Sequence, residues 1–262
     1  MLARTYAEDG FAISAKTILD AVTPRTRGII VNSPCNPTGA LISEADLGAI
    51  AEVAARQGIW VVLDLCYEKL IYDAVPHNLP RVLAEKCRDL TVLCGSASKA
   101  YAMTGWRCGW AIGPAPVVAA AGAIQSHATS NVTSISQKAA VEALTGSQAT
   151  VTAMLDEYRK RRDRLHAWLS ADPRLRCNKP AGAFYMFVDI SDVLSTDGLR
   201  TSLDFADALL DESRVAVTPG EAFDAPGTIR ISYATSMEML EEGSRRLLAF
   251  VAKHAPQTAA AS

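Results

Sequence analysis

Four short apolar runs, at 28–32, 59–63, 90–94 and 108–112, alternate with stretches of helical periodicity through the first half of the chain. That alternation marks βαβ units and predicts a mostly parallel sheet with helices laid against it. The first run reads as a buried strand and the second as a continuous apolar one, with Asp64 at its carboxyl end. Between them Ser43 is placed to cap a helix, with Asp46 as capping-box partner, Leu47, Ile50 and Val53 as apolar stripe, and Gly58 as stop. Residues 95–107 read as a loop and turn region at a sheet edge. From Ser134 helical periodicity takes over, and the run 149–169, ended by Pro173, is long enough to bridge two domains. Beyond it, strands near 184–190, 215–217 and 229–233 mix with helices near 203–212 and 237–252, an α+β arrangement. The expectation is a large α/β domain over residues 1–150, then a linker helix and small C-terminal domain over 151–262.

Composition bounds the function. At 49% hydrophobic and 21% charged residues, the chain has the balance of a globular protein with a substantial core, and disorder is expected only at 256–262. A net charge of -2 and a pI near 6.1 offer no positive field to a phosphate backbone, so nucleic acid is excluded as a partner. The most basic cluster, Arg159, Lys160, Arg161, Arg162 and Arg164, is mixed with Glu157 and Asp163 and reads as a solvated helix face. Six cysteines show no CxxC pair and no metal spacing with the four histidines, and no metal is expected. Cys66, Cys94 and Cys108 lie in or beside apolar runs, as small core residues would, which suits a reducing cytoplasm. His77, His127, His166 and His254 form no triad and are read as non-catalytic. No apolar stretch follows Glu8 and Asp9 to suggest a secretory signal, and the Ala/Val run at 117–124 falls short of the ~20 residues a membrane span needs.

In doubly wound sheets ligands gather outside the carboxyl ends of the strands. Three polar clusters fall there: SPCNPTG at 33–39, DLCY at 64–67 and SASKAYAMTGWR at 96–107. Singly, each has a plain explanation, because a lysine is usually solvated, an aspartate after a strand is often a cap, and an asparagine makes Asx turns. Together and in this order, with GAFY at 182–185 and RISYA at 230–234, they resemble the class I/II aminotransferase family, the aspartate aminotransferase-like enzymes of pyridoxal phosphate fold type I. The resemblance covers essentially the whole chain.

It implies a cofactor, pyridoxal 5'-phosphate, and a role for each matching residue. Lys99 would form the imine with the cofactor aldehyde and, once freed, move the α-proton. Asp64 would keep the pyridine nitrogen protonated, and Tyr67 and Asn36 would hydrogen-bond the phenolic oxygen. Ser96, Ser98 and Arg107 would hold the phosphate, Ser98 least consistently. Arg230 would grip the substrate carboxylate, with Asn36 beside it. Tyr101, Phe184 and Tyr185 are expected to pack or to line the substrate mouth.

The implied activity is ping-pong transamination between an amino acid and a 2-oxo acid, glutamate and 2-oxoglutarate being the expected common pair, in a homodimer. The same residues would serve a β-lyase or related α-carbon chemistry, and a cofactor-responsive effector domain or an inactive fragment is the non-enzymatic alternative. SxxK at 96–99 also spells an acyl-transfer motif, but KTG and SDN are missing from the sequence. Against the family pattern the chain is expected to lack the N-terminal portion, with its phosphate-binding loop and ring-stacking aromatic, and so to bind cofactor weakly. Leu65 stands where many members have Glu.

Overall fold

The structure is a computed structural model describing residues 1–73, 75, 77–195 and 198–254, so the tail at 256–262 lies outside it. The chain divides into two units. The first comprises Met1–Asn36, Ala40–Leu155 and Ala181–Ala183, and the second Pro37–Gly39, Asp156–Pro180 and Phe184–Ser262.

The first unit opens with α1 (Ala15–Asp20), capped by the Ser14 hydroxyl, which accepts the Thr17 N–H. Strand β1 (Gly28–Asn32) and helix α2 (Glu44–Gln57) follow. Ser43 accepts the Asp46 N–H at the start of α2, and Gly58, at φ 67°, closes it. The Asp46 carboxylate does not complete the expected box; it accepts the Ser43 hydroxyl and the Ala15 N–H, the latter at 2.8 Å. The buried face of α2 is Leu47, Gly48, Ile50, Ala51 and Ala54. Ala51 and Ala54 thus take the place expected for Val53, because 47, 50, 51 and 54 share one side at 3.6 residues per turn.

Strand β2 (Trp60–Asp64), α3 (Leu79–Lys86), β3 (Thr91–Ser96), the single turn α4 (Ala97–Ala100) and β4 (Gly109–Ile112) complete a four-stranded sheet of order β1-β2-β3-β4. The first two pairings are parallel and the third antiparallel. Between β3 and β4 the chain makes only α4 and a 3-10 turn at Thr104–Trp106, too little for a crossover, so β4 doubles back. Residues 95–107 are therefore not all loop: Gly95 and Ser96 finish β3, and α4 follows directly.

Ile29, Val31, Val61 and Leu63 face α2 and α3 in one buried cluster. On the opposite face Ile30 is 77% exposed, and Trp60 and Val62 are half-buried. These strands alternate, contrary to the reading of continuous buried runs, because the helices that pack on them lie on one side. Three helices close the unit: α5 (Ala115–Ala128), in which no residue is buried, α6 (Ser134–Thr145) and the first turns of α7 (Ala149–Leu169). The bounds of α7 are those expected, and the division between the units falls inside it.

In the second unit β5 (Arg176–Cys177), β6 (Tyr185–Asp189), α8 (Ser202–Ser213), β7 (Thr218–Pro219), β8 (Thr228–Ser232) and α9 (Met237–His254) follow α7. The sheet has order β5-β6-β8-β7 with every pairing antiparallel. Thr201 and Asp204 form a capping box at α8, and Phe205 meets Phe250 of α9 edge-on at 5.3 Å between ring centroids. The expected strand at 215–217 is displaced to Thr218–Pro219, where the chain meets Arg230 and Ile229.

Arg162 overturns part of the solvated-face reading of α7. It is 1% exposed and donates from Nε to Asp163 Oδ1 at 2.8 Å and from Nη1 to the Pro180 carbonyl at 3.2 Å. Its neighbours Arg159 and Lys160 do pair outward with Asp156 and Glu157, while the half-buried Arg161 pairs with Glu157 against the Tyr158 ring. No described helix is long and apolar enough to cross a membrane, and the described residues contain no cluster of potential metal ligands.

Candidate active site

Because β1, β2 and β3 run parallel, their carboxyl ends lie along one edge of the sheet. The register Asn32–Asp64–Cys94 sets three side chains in a row on one face. The ladder continues past the strands, with Ser33 N–H donating to the Asp64 carbonyl at 3.2 Å and Leu65 N–H to that of Cys94 at 2.8 Å. The segments carrying Asn36, Tyr67 and Lys99 therefore leave from neighbouring points of that edge.

Lys99 sits on α4 with its Nζ 5.9 Å from the centroid of the buried Tyr67 ring. Between Asp64 and Tyr67, the Cys66 N–H donates to Asp64 Oδ1 at 2.9 Å. Burial, then the hydrogen bond to Asp64 and its charge, push the Cys66 thiol up to about 12, while the Lys99 cation pulls it down. One sulfur atom thus senses both Asp64 and Lys99. Burial followed by the Asp64 charge also raises the Cys94 thiol. Cys66 and Cys94 are only half-buried, because they lie on the open face and strand-end edge and not under α2 and α3; Cys108 is buried as expected.

The loop holding Asn36 is tied on several sides. Ser33 is fully buried, its Oγ 3.1 Å from His77 Nε2 and accepting the Ile42 N–H at 3.1 Å. The Ser33–Pro34 peptide is cis, and Cys35 N–H donates to the Ala40 carbonyl at 2.9 Å. Asn36 N–H donates to Asn32 Oδ1 at 2.8 Å, and Asn32 Nδ2 to the Asp64 carbonyl at 3.4 Å. Residues 181–183 lie alongside: Tyr72 N–H donates to the Ala181 carbonyl and Ala183 N–H to that of Leu70, each at 2.9 Å, and the Tyr72 hydroxyl to the Ala183 carbonyl at 2.6 Å. Gly182 is obligatory there, since a Cβ would lie 2.6 Å from Pro34 Cβ and 2.9 Å from the Leu70 carbonyl oxygen. Asn32 and His77 lie outside the motifs, and Cys66 and Gly182 lie within them without an assigned role; an asparagine four residues ahead of Asn36, at a strand end, is the signal available for the first.

Ser96 ends β3, and Ser98, Lys99 and Arg107 lie in the β3–β4 connection that follows it. Ser96 Oγ accepts the Ser98 N–H at 3.0 Å and donates to the Cys108 carbonyl at 3.4 Å, so this hydroxyl also caps α4. Arg107 is exposed, has φ 52° and donates from Nη1 to the Thr104 carbonyl at 2.8 Å. At Gly95, next to Ser96, the Trp110 indole occupies the space a side chain would take. Tyr101, half-buried, bonds through its hydroxyl to Gln148 Oε1 at 3.2 Å.

Arg230 belongs to the second unit. On β8 its guanidinium lies 4.3 Å from the Tyr185 ring centroid and 4.8 Å from that of Phe223, and Nη2 donates to Thr218 Oγ1 at 3.3 Å. Two aromatic faces thus hold the cation in one orientation. Phe184 and Tyr185 are buried and pack on each other at 4.7 Å, with Tyr158 against Phe184 at 5.6 Å.

The fold is that of the fold type I aminotransferases, a mixed α/β architecture with parallel strands. The sequence pattern of the family "Aminotransferase class I and II" matches residues 1–247, and the chain belongs to that family. It is 40% identical over 245 residues to an aspartate aminotransferase of Bacillus sp. (strain YM-2), covering 94% of this chain and 62% of that protein. It is 42% identical over 251 residues to an aspartate/prephenate aminotransferase of Cereibacter sphaeroides, covering 94% and 63%. Among solved structures, aspartate aminotransferase from Rhizobium meliloti superposes with TM-score 0.88 at 39% identity, covering 96% of this chain and 64% of that one. An aromatic aminotransferase from Pyrococcus horikoshii OT3 gives 0.87 at 35%, covering 95% and 66%. The chain therefore spans a little under two thirds of the length of the curated relatives it matches.

Proposed function

We propose that the chain carries pyridoxal phosphate-dependent transamination between an amino acid and a 2-oxo acid, residues 1–150 acting as the cofactor-binding domain and 151–262 as linker helix and small domain. The observation that carries this reading is the cluster at the sheet edge, where Lys99 lies over Tyr67 and Asp64, at the neighbouring strand end, accepts the Cys66 N–H between the two residues of the motif. The donor set fits the cofactor: a primary amine, a carboxylate, an amide and a phenol at or just past neighbouring strand ends, with one hydroxyl at the end of β3 and a second hydroxyl and a guanidinium on the β3–β4 connection.

When bound, the cofactor supplies an aldehyde that takes up the amino nitrogen and a ring that draws electrons from the α-carbon. Lys99 Nζ would hold the cofactor and, when released, take the α-proton and return it elsewhere. Asp64 would keep a proton on the ring nitrogen by charge, while Asn36 and Tyr67 donate to the phenolic oxygen. Ser96, Ser98 and Arg107 would bind the phosphate, the guanidinium offering a two-pronged fit. Arg230, oriented by Tyr185 and Phe223, would fix the substrate carboxylate and thereby choose the bond that breaks.

The names of the relatives support aspartate as the amino acid to test first, with 2-oxoglutarate as the oxo acid expected from the family resemblance. A homodimer is proposed on the same family grounds, and the six free cysteines suit a reducing cytoplasm. The test is borohydride reduction of the chain mixed with pyridoxal phosphate, followed by peptide mass mapping. A pyridoxyl adduct on Lys99, absent in Lys99→Ala, is expected; labelling spread over other lysines with Lys99 unmodified would end the proposal. Amino-group transfer from aspartate to 2-oxoglutarate by the loaded chain tests the activity itself.

A further inference from the structure

We infer that Asn32 is a positioning residue: its side chain sets the place of Asn36 relative to Asp64, and so the hydrogen bond that Asn36 gives the cofactor's phenolic oxygen. The inference rests on the reading above and adds to it a residue that no motif marks.

The geometry is local. Asn32 ends β1 and pairs in register with Asp64, so the two side chains stand side by side on one face of the sheet. Its carbonyl oxygen Oδ1 accepts the Asn36 N–H at 2.8 Å, and its Nδ2 donates to the Asp64 carbonyl at 3.4 Å. One planar amide thus spans from the backbone of Asn36 to the backbone of Asp64. Few side chains could do the same. Alanine offers neither bond, leucine has the size without the polar atoms, and aspartate keeps the acceptor but loses the donor and adds a charge beside Asp64.

The consequence for chemistry follows from where those backbones lead. In the proposed site Asn36 and Asp64 address two different groups of one pyridine ring, the phenolic oxygen and the ring nitrogen, so a slip of either backbone degrades one contact while leaving the other. Ser33 N–H also donates to the Asp64 carbonyl, at 3.2 Å, so removing Asn32 leaves the β1–β2 junction partly tied. The loop is further held through Ser33 by Ile42. Loss of the Asn32 amide therefore moves Asn36 more than it unfolds the unit.

The experiment is a pH titration of the visible absorption of pyridoxal phosphate bound to the wild-type chain, Asn32→Ala, Asn36→Ala and the double variant. A donor lost from the phenolic oxygen leaves that oxygen more basic, so the proton it shares with the lysine nitrogen is released at higher pH. Asn32→Ala and Asn36→Ala are each expected to raise the midpoint by about one pH unit, the size one hydrogen bond gives. The double variant is expected to go no further than Asn36→Ala, since both act on one contact. A midpoint in Asn32→Ala equal to wild type, or shifts that add, overturns the inference, because a merely structural role lowers the melting temperature without moving the midpoint. Should Asn32→Ala not fold, amide hydrogen exchange in the wild-type chain decides: the Asn36 N–H is expected to exchange at least ~10-fold more slowly than in an unfolded chain, and coil-like exchange overturns the link. Absence of any Lys99-linked absorption in wild type overturns both the parent reading and the role in cofactor binding, which the exchange measurement keeps apart from the Asn32–Asn36 bond.

Discussion

Ser33 Oγ and His77 Nε2 lie 3.1 Å apart, and the same hydroxyl accepts the Ile42 N–H. The pair bonds with either the serine hydroxyl or the Nε2–H as donor, according to the imidazole's tautomer. Burial holds His77 below its ordinary 6.5, with the Glu44 charge opposing. The unfolded chain therefore binds this proton first as pH falls. The stability gained by burying His77 as the neutral imidazole is intact above about 6.5 and is lost as pH drops from there through the lowered folded-state value. The wild-type melting temperature should fall on acidification through that window, and the fall should be smaller in His77→Gln. Parallel pH profiles of the two proteins would refute this.

Gly182→Ala places a methyl group against the Pro34 ring and the Leu70 carbonyl. Neither can give way easily, since the first belongs to a buried loop and the second accepts the Ala183 N–H. A loss of about 1–3 kcal/mol is expected from overpacking, measured by denaturant unfolding. An unchanged midpoint would mean that residues 181–183 do not lie against the loop.

Arg162→Met keeps much of the volume of a side chain that is 1% exposed but removes its bonds to Asp163 and the Pro180 carbonyl. Asp163 is half-exposed and retains Lys179 at 2.9 Å, so the loss should stay at about 1.5–3 kcal/mol. Arg159→Met, on the outward face, should cost under about 1 kcal/mol. Equal losses in thermal denaturation would restore the reading of α7 as a uniformly solvated face.

With its thiol raised to about 12, Cys66 should hold on the order of a thousandfold less thiolate than an ordinary cysteine. Iodoacetamide mapping at mildly alkaline pH should leave it unmodified when other accessible thiols have reacted. Asp64→Asn removes the charge that supports the protonated form and should speed its alkylation. Rapid labelling in the unaltered chain would place the sulfur elsewhere.

Much of the fold is legible in the sequence where the local signals agree. Ser43 and Gly58 delimit α2, and an unbroken run without Gly or Pro delimits α7. Helix α5 carries no such signal: its Ala and Val residues are apolar on all sides, and no residue of it is buried, so no stripe stands out. The position of β7 is set by pairing with Arg230 and Ile229, a distant relation that three valine and alanine positions at 215–217 do not encode. In the candidate site, Asn36, Asp64, Tyr67 and Lys99 are found by motif because each offers a distinctive functional group. Asn32 is not, because its partners are backbone groups that every residue carries. The burial of Arg162 is likewise hidden among four neighbouring cations.

Asp46 accepts from the backbone of Ala15 and from the hydroxyl that caps α2. A single carboxylate therefore anchors the first turns of two helices that are far apart in sequence, and each start inherits the fate of the other. Replacing it would loosen the leading segment and the opening of α2 together. An engineered chain with a new sequence ahead of β1 would need to present a backbone donor at the place of Ala15 to keep that shared tether.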